Sequence, residues 1–263
     1  MSTEGRRQFI PREAGDPDLT QAEFKAQQEG DVRTLKMRNN IAKQLKATRR
    51  EERKRITEMV LDRNGREYIE YFEGITSMFE YVKSLPSNTI LDIGAGRGRG
   101  IRELAESALG EGLRFKTTVL GNSDRIEKSD AIARVHITPA ETLRGISNES
   151  IGGILALYSI SYCENPEIVT KRIDEVLVPG GVVKATFPDL PGRLSRTSKF
   201  IQWDALPYEH FFKGMGYDVL VHSSQRQILL ALKPGGNISA SKLMEADEKS
   251  YEEQMAPFPE TEE

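Results

Sequence analysis

Hydrophobic positions along the chain follow two patterns, and the pattern changes near residue 86. From residue 31 to 64 they recur every four residues, as at Met37 and Ile41, which predicts a long helix. A second helix is predicted from about Glu67 to Leu85, because its apolar residues keep a helical spacing and Pro86 ends it.

After Pro86, short apolar runs alternate with helical stretches. This alternation predicts an α/β fold with a doubly wound, mostly parallel sheet of seven strands and helices on both faces. The last two strands are separated by only a short turn, so we expect them to form an antiparallel hairpin. The predicted strands are Thr89–Ile93, Phe115–Leu120, Arg134–Ile137, Gly153–Tyr158, Val182–Phe187, Tyr217–His222 and Gln227–Leu232. The predicted helices between them are Gly100–Ala108, Asp124–Ala133, Pro166–Leu177 and Leu206–Met215.

The two ends of the chain differ in charge from its middle. Residues 1–30 are polar, contain proline and glycine and show no period, which predicts a disordered segment. Residues 31–64 are predicted to form a basic helical extension, with a net charge of +8 over residues 32–66. Residues 237–263 carry 2 Lys and 8 Asp and Glu, and we expect an acidic tail that is disordered or peripheral. The folded domain is therefore predicted at residues 65–236.

Several classes of protein are excluded by composition. The longest apolar stretches, such as Ile151–Ile160, are too short to span a bilayer, and residues 1–10 contain no apolar signal region. The single cysteine, Cys163, excludes an intrachain disulfide and a thiolate metal cluster. We therefore expect a cytoplasmic protein that is not bound to a membrane.

The most informative segment runs from Ile90 to Gly100, where an apolar strand enters a glycine-rich turn that opens a helix. Glycines allow positive φ and a close approach of a ligand to the backbone, and the start of the helix offers free N–H donors. The glycines Gly94, Gly96 and Gly98 are spaced G-x-G-x-G. Because Arg99 stands where the dinucleotide fingerprint has its last glycine, a nicotinamide dehydrogenase is disfavoured.

Over residues 65–236 the sequence resembles the class I S-adenosylmethionine-dependent methyltransferases, with a Rossmann-like domain. Residues 91–98 resemble the first motif of that family, and Pro139–Leu143 resembles the loop after its third strand. Ile154–Tyr162 is similar to the fourth strand and its exit, and Val176–Val183 to a Pro-Gly-Gly turn before the fifth strand. The family sheet also ends in a reversed strand.

The resemblance implies S-adenosyl-L-methionine as the cofactor and a transferase activity. The residues that it assigns to the cofactor are Asp92, Gly94, Ala95, Gly96, Gly98, Asn122, Ser123, Ala140, Glu141 and Tyr158. Tyr158 and Tyr162 are placed along the acceptor pocket, with half-buried rim aromatics as the alternative. No catalytic residue is assigned, since methyl transfer can depend mainly on proximity and orientation.

Two positions depart from the family pattern. Asn122 or Ser123 stands where relatives carry an acid for the ribose hydroxyls, and Pro139 stands where many carry an aspartate for the adenine. An amide or hydroxyl still binds a ribose, but less strongly than a carboxylate does. The adenine contact would then pass to Glu141 or to a backbone group.

Two functions follow from these observations. The first is a methyltransferase whose acceptor, a small molecule, an RNA or a protein, is not identified. The alternative is a non-catalytic adaptor that binds RNA or protein through the basic helix. Residues 33–55 are a candidate nucleic-acid surface, against the reading of a solvated charged face. His136, His210 and His222 lack the spacing of metal ligands, and the oligomeric state is not predicted.

Overall fold

The computed structural model describes residues 63–119, 130–163, 165–188, 203–223 and 226–255. The strands in this part of the chain are β1 (Thr89–Ile93), β2 (Arg114–Val119), β3 (Ile132–Ile137), β4 (Ile151–Leu157), β5 (Leu177–Phe187), β6 (Asp218–Ser223) and β7 (Gln227–Leu232). The α-helices are α1 (Gly65–Phe72), α2 (Thr76–Lys83), α3 (Arg99–Glu106), α4 (Pro166–Val176), α5 (Leu206–Gly214) and α6 (Ala240–Met255).

These strands form one sheet with the order β3-β2-β1-β4-β5-β7-β6. Strands β1 to β5 pair in parallel, whereas β7 is antiparallel to both β5 and β6. The prediction of a mostly parallel seven-stranded sheet with a reversed last strand is confirmed. The strand order changes direction between β1 and β4, and a sheet of this kind binds ligands at the carboxyl ends of the strands on either side of that point.

The sheet is packed between two helical layers. One hydrophobic cluster joins α1, α2, α3 and α6 to the sheet, and the other joins α4 and α5 to the opposite face. Strand β1 contributes to both, because Ile90 lies in the first cluster and Leu91 in the second. Alternate residues of a strand point to opposite faces, so a fully buried strand is apolar at nearly every position.

The first helical region is two helices rather than the single helix predicted over Glu67–Leu85. Helix α1 ends because Glu73 and Gly74 adopt left-handed conformations, with φ of 52° and 96°. A Cβ on Gly74 would lie 2.8 Å from the Cβ of Asp247 in α6. The break therefore lies where α6 packs closely against the chain.

The prediction of a disordered or peripheral tail is wrong for residues 240–255, which form α6. This helix buries Leu243 and Met244 against the sheet layer and also buries the polar residues Asp247 and Gln254. Asp247 pairs with Lys184 of β5, with 2.7 Å between Oδ2 and Nζ and both side chains almost fully buried. The segment is therefore part of the folded domain.

Smaller differences concern the ends of elements. The helix predicted over Asp124–Ala133 does not reach Ala133, because β3 already begins at Ile132, and residues 124–129 lie outside the described residues. Strand β5 begins at Leu177 and includes the Pro-Gly-Gly segment that was expected to precede it. The predictions for residues 1–62 and for Asn122 and Ser123 lie outside the described residues. Within the described part, no helix is long and apolar enough to cross a membrane.

Candidate cofactor and acceptor site

The glycine turn follows β1 and leads into α3. Gly94, Gly96 and Gly98 have φ of 77°, 63° and 82°, conformations that residues with side chains rarely adopt. The N–H of Gly94 donates to the carbonyl oxygen and to Oγ1 of Thr118, at 3.1 Å and 3.0 Å. Ala95 N–H donates to the same carbonyl at 3.2 Å. The turn is thus held at the carboxyl ends of β1 and β2.

The turn also touches the loop that leaves β4. A Cβ on Gly94 would lie 2.5 Å from the Cβ of Ser159, so only glycine fits at this contact. The Ser159 hydroxyl is buried and has no hydrogen-bond partner among the residues that the structure describes. The strand-order reversal therefore brings a glycine backbone and an unsatisfied hydroxyl together.

The acid of the first motif lies fully buried beneath the turn. Asp92 accepts a 2.6 Å hydrogen bond at Oδ2 from the hydroxyl of Tyr68, while no group in the described part of the chain pairs with its Oδ1 atom. Burial raises the pKa of Asp92 to about 7, and the Tyr68 hydrogen bond acts in the opposite direction. The carboxyl group consequently lacks one partner that would stabilise its ionised form.

Tyr68 is a site residue that the sequence did not identify. It lies on the buried face of α1 with Ile69 and Phe72, and an aromatic residue in such a stripe is not distinguishable from core. A Cβ on Gly100 would lie 2.6 Å from its ring. Helix α1 can therefore approach the start of α3 only because residue 100 is glycine.

The exit of β4 holds the predicted acceptor residues. Tyr158 has a left-handed backbone with φ of 56°, and its N–H donates to Oγ1 of Thr186 at 3.0 Å. Its ring meets the ring of Tyr71 edge to face, with the centroids 5.7 Å apart. Tyr162, in a short 3-10 turn at Ile160–Tyr162, is 44% exposed. Both predicted tyrosines are thus near the carboxyl end of β4.

Two arginines that the sequence did not single out join these tyrosines. The guanidinium carbons of Arg63 and Arg226 lie 4.6 Å and 4.2 Å from the centroid of the Tyr71 ring. Burial raises the pKa of the Tyr158 phenol, and the nearby Arg226 and Arg63 charges oppose that rise. The site therefore contains a cluster of cations and aromatic rings that only the folded chain assembles.

The loop after β3 contains two further residues assigned to the cofactor. Ala140 is buried and Glu141 is half-buried, in a turn where the Pro139 carbonyl accepts hydrogen bonds from the N–H groups of Thr142 and Leu143.

Among the described residues, no group of His, Cys, Asp and Glu could hold a metal ion.

Comparison with known proteins shows a similarity over the middle of the chain. Residues 91–184, from β1 to the middle of β5, match the family model described as a methyltransferase domain. No curated protein matches the sequence significantly.

Solved structures with a similar fold have low sequence identity to this protein. An S-adenosylmethionine-dependent methyltransferase from Methanosarcina mazei is 13% identical, covers 60% of this chain and 96% of its own, and has a TM-score of 0.45. Phosphoethanolamine N-methyltransferase 2 from Haemonchus contortus, solved with S-adenosyl-L-methionine, is 16% identical with a TM-score of 0.47. The match covers 60% of this chain and 52% of that one, so this chain spans about half of that protein.

The residues at the turn fit the cofactor of this family. S-adenosylmethionine carries an ammonium and a carboxylate on its methionine part, and the site offers the free Oδ1 of Asp92 and the unsatisfied hydroxyl of Ser159. The glycine backbone at Gly94 leaves no side chain between them and the turn. Residues 91–184 of the chain are therefore similar to a methyltransferase domain, and the residues at the turn fit the cofactor S-adenosylmethionine.

Proposed function

We propose that the protein is an active enzyme that transfers the methyl group of S-adenosylmethionine to an acceptor held beyond the end of β4. The observation that carries the proposal is the glycine turn together with two buried polar atoms that lack partners, Asp92 Oδ1 and Ser159 Oγ. An unsatisfied buried polar atom costs about 1–3 kcal/mol, so two beside one turn are best explained by a polar ligand that binds there.

Each residue has a separate task in this proposal. Asp92 would accept a hydrogen bond from the ammonium group of the cofactor, and Ser159 would bind the same amino-acid part. When bound, S-adenosylmethionine supplies a methyl group that leaves its sulfur as the lone pair of the acceptor forms the new bond, with the C–S electrons kept by sulfur. Tyr158 and Tyr162 would line the acceptor, so that the reaction depends on orientation rather than on an acid–base pair. We propose that this reaction takes place in the cytoplasm.

Transfer of a radiolabelled methyl group into fractionated cell extract tests the proposal. The extract is divided into small molecules, RNA and protein, and each fraction is incubated with labelled S-adenosylmethionine and either the wild-type protein or the D92N variant. We expect label in one fraction with the wild-type protein and about a tenfold or larger loss with D92N, because asparagine lacks the negative charge that strengthens the hydrogen bond to the ammonium group.

The adaptor function predicts another outcome. It rests on the departures at Asn122 and Pro139 and on the basic segment at residues 33–55. If no fraction is labelled while the full chain binds an RNA oligonucleotide with a steep dependence on salt, the adaptor function replaces the enzyme.

A further inference from the structure

Arg226 stands out among the cations near the site because its charge is unmatched. Arg63 donates to Glu67 at 2.7 Å and to the Tyr71 hydroxyl at 3.0 Å. In contrast, Nη1 of Arg226 is buried without a hydrogen-bond partner, and no carboxylate of the described residues forms an ion pair with Arg226. Within the described ranges, its guanidinium lies over the face of the Tyr71 ring, 4.2 Å from the centroid.

A half-buried guanidinium in this state has lost part of its hydration without gaining an anionic partner. Such an arrangement is unfavourable unless another group supplies the missing acceptor. The planar guanidinium group matches carboxylate and phosphate oxygens, which accept two parallel hydrogen bonds from it. The geometry of Arg226 therefore fits the binding of an anion.

The position of Arg226 relates this anion to the acceptor. Arg226 directly precedes β7, whose first residue Gln227 pairs with Phe187 at the carboxyl end of the parallel strand β5. Both Arg226 and Tyr158 act on the ring of Tyr71, and the Arg226 charge reaches the Tyr158 phenol. An anion on Arg226 would consequently lie beside the exit of β4, at the end of the sheet that carries the glycine turn.

We propose that the acceptor is a small acid, and that Arg226 binds its carboxylate or phosphate group while Tyr71 and Tyr158 pack against its body. This inference rests on the proposed function, since it names the class of acceptor for the same reaction. The guanidinium of Arg63 also lies over the Tyr71 ring and adds positive potential there, although its direct partner is Glu67. Neutral and cationic acceptors would leave Arg226 unpaired and are therefore disfavoured.

The first experiment examines the charge of the methylated product. Full-length protein transfers labelled methyl groups into the small-molecule fraction of cell extract, and the products are separated on an anion exchanger at pH 7. We expect the labelled product of the wild-type protein to be retained on the resin. At low acceptor concentration the rate of methyl transfer should be about tenfold lower with R226M, because a charged, bidentate contact is removed. R226K should recover only part of that rate, since lysine keeps the charge but not the planar pair of donors.

The control variant R134M removes one exposed positive charge on β3, away from this cluster, and should leave the rate within about twofold. Treatment of the retained product with phosphatase distinguishes the two acids. A phosphorylated product loses its retention on the resin, whereas a carboxylate keeps it. If the labelled product is not retained on the resin and R226M forms it at the wild-type rate, the inference is wrong. The methyltransferase function would remain intact.

A binding experiment keeps the inference testable without any turnover. Protein saturated with S-adenosylhomocysteine is titrated with inorganic phosphate or with acetate at constant ionic strength, and its thermal unfolding is followed. We expect a rise in Tm for at least one anion in the wild-type protein and in R134M, and none in R226M. An equal rise in R226M, or no rise with either anion, would show that Arg226 does not form an anion site.

Discussion

The hydroxyl of Tyr68 donates a 2.6 Å hydrogen bond to Oδ2 of Asp92, and both side chains are buried. This bond connects α1, which lies before the sheet in the sequence, to the acid beneath the glycine turn. Because it stabilises the carboxylate, it opposes the rise in the pKa of Asp92 that burial causes. Tyr68 therefore influences whether Asp92 is ionised when a ligand with an ammonium group arrives.

The first prediction concerns the variant Y68F. Without the hydroxyl, the pKa of Asp92 should rise further, so that less of the carboxylate is ionised near pH 7. We expect affinity for S-adenosylhomocysteine to begin to fall at a higher pH in Y68F than in the wild-type protein. Once the pKa of Asp92 exceeds 7, each further unit of pKa should weaken the affinity at pH 7 about tenfold. Calorimetric titrations between pH 6 and pH 8 measure this shift.

The matched control for Y68F is Y81F. Tyr81 is also buried, and its hydroxyl donates to the carbonyl of Gly180 at 2.8 Å, in a different part of the helical layer. Y81F should lose stability without any change in the pH dependence of binding. If both variants bind with the same pH profile as the wild-type protein, Tyr68 does not act on the carboxyl group.

The second prediction is that D92N stabilises the protein without cofactor at high pH. The pKa of Asp92 is about 7 in the folded chain, against an ordinary value of 3.8. Between these two pH values the folded chain therefore keeps a proton on Asp92 that the unfolded chain has lost. Its contribution to the free energy of unfolding is therefore highest below pH 4 and declines as the pH rises to 7. Above pH 7 the full cost of the buried charge is present.

Asparagine removes this charge and keeps the shape of the side chain. Urea unfolding measures the free energy of unfolding of D92N and of the wild-type protein. Relative to the wild-type protein, D92N should be about 2 kcal/mol more stable at pH 8 than it is at pH 5. The variant D130N, which changes an exposed carboxylate, should show no such change with pH. A difference for D92N that is constant between the two pH values would contradict the burial of an ionisable Asp92.

A third prediction concerns the buried pair formed by Lys184 and Asp247. Asp247 also accepts a hydrogen bond from the N–H of Ser77 at the start of α2, and Lys184 donates to the Gly74 carbonyl. The variant K184M leaves the Asp247 carboxylate buried without its counter-charge, which should lower the free energy of unfolding by about 3–5 kcal/mol. Urea unfolding at pH 7 measures this change.

An exposed ion pair provides the control. Lys171 and Glu167 are one turn apart on the outer face of α4, with 2.6 Å between their charged atoms. K171M should cost less than about 1 kcal/mol, because such pairs are hydrated and flexible. If K184M costs no more than K171M, α6 is not anchored by this pair.

The extent of the sequence prediction can be understood from these residues. The turn at Gly94 and the strands were predicted because local periodicity and glycine spacing determine them. The break at Gly74 was missed, since one glycine in a helical pattern does not show that a distant helix packs against it. Asp247 lies 63 residues from Lys184, and the charges of α6 therefore gave the appearance of a solvated tail.

The same limit applies to the site. Tyr68 and Asp92 are 24 residues apart, and Arg226 and Tyr71 lie on different elements, so no spacing rule connects them. What the sequence predicted at the site is the part made by one continuous segment. The cluster of Arg63, Arg226, Tyr71 and Tyr158, in contrast, depends on tertiary packing of α1, β4 and the hairpin.

The fourth prediction revises the part played by the N-terminal segment. From the sequence we placed the start of the folded domain at residue 65, which implies that residues 1–64 contribute nothing to it. However, Asn64 caps α1 by accepting from the N–H of Glu67 at 2.8 Å, and Arg63 contacts the ring of Tyr71. Loss of an N-cap costs about 1 kcal/mol, and here it weakens the helix that positions Tyr68.

Two truncated proteins separate these contributions. Deletion of residues 1–62 should preserve the affinity for S-adenosylhomocysteine, whereas deletion of residues 1–64 should lower it together with the Tm. Calorimetry and thermal unfolding give both values. Equal affinity of the two truncated proteins would mean that the cap does not reach the site, and loss of binding in both would place residues 1–62 in the pocket.

The central claim is that the turn after β1 binds S-adenosylmethionine, and a calorimetric titration of the full chain tests it most directly. We expect one molecule of cofactor per chain in the wild-type protein and about a hundredfold weaker binding in G94A, because its Cβ would lie 2.5 Å from the Cβ of Ser159. G112A controls for backbone strain, since Gly112 has the same φ of 77° but no atom within 4 Å of its Cβ position, and it should bind like the wild-type protein. No heat from folded wild-type protein with either S-adenosylmethionine or S-adenosylhomocysteine, or unchanged binding in a folded G94A, would contradict the claim.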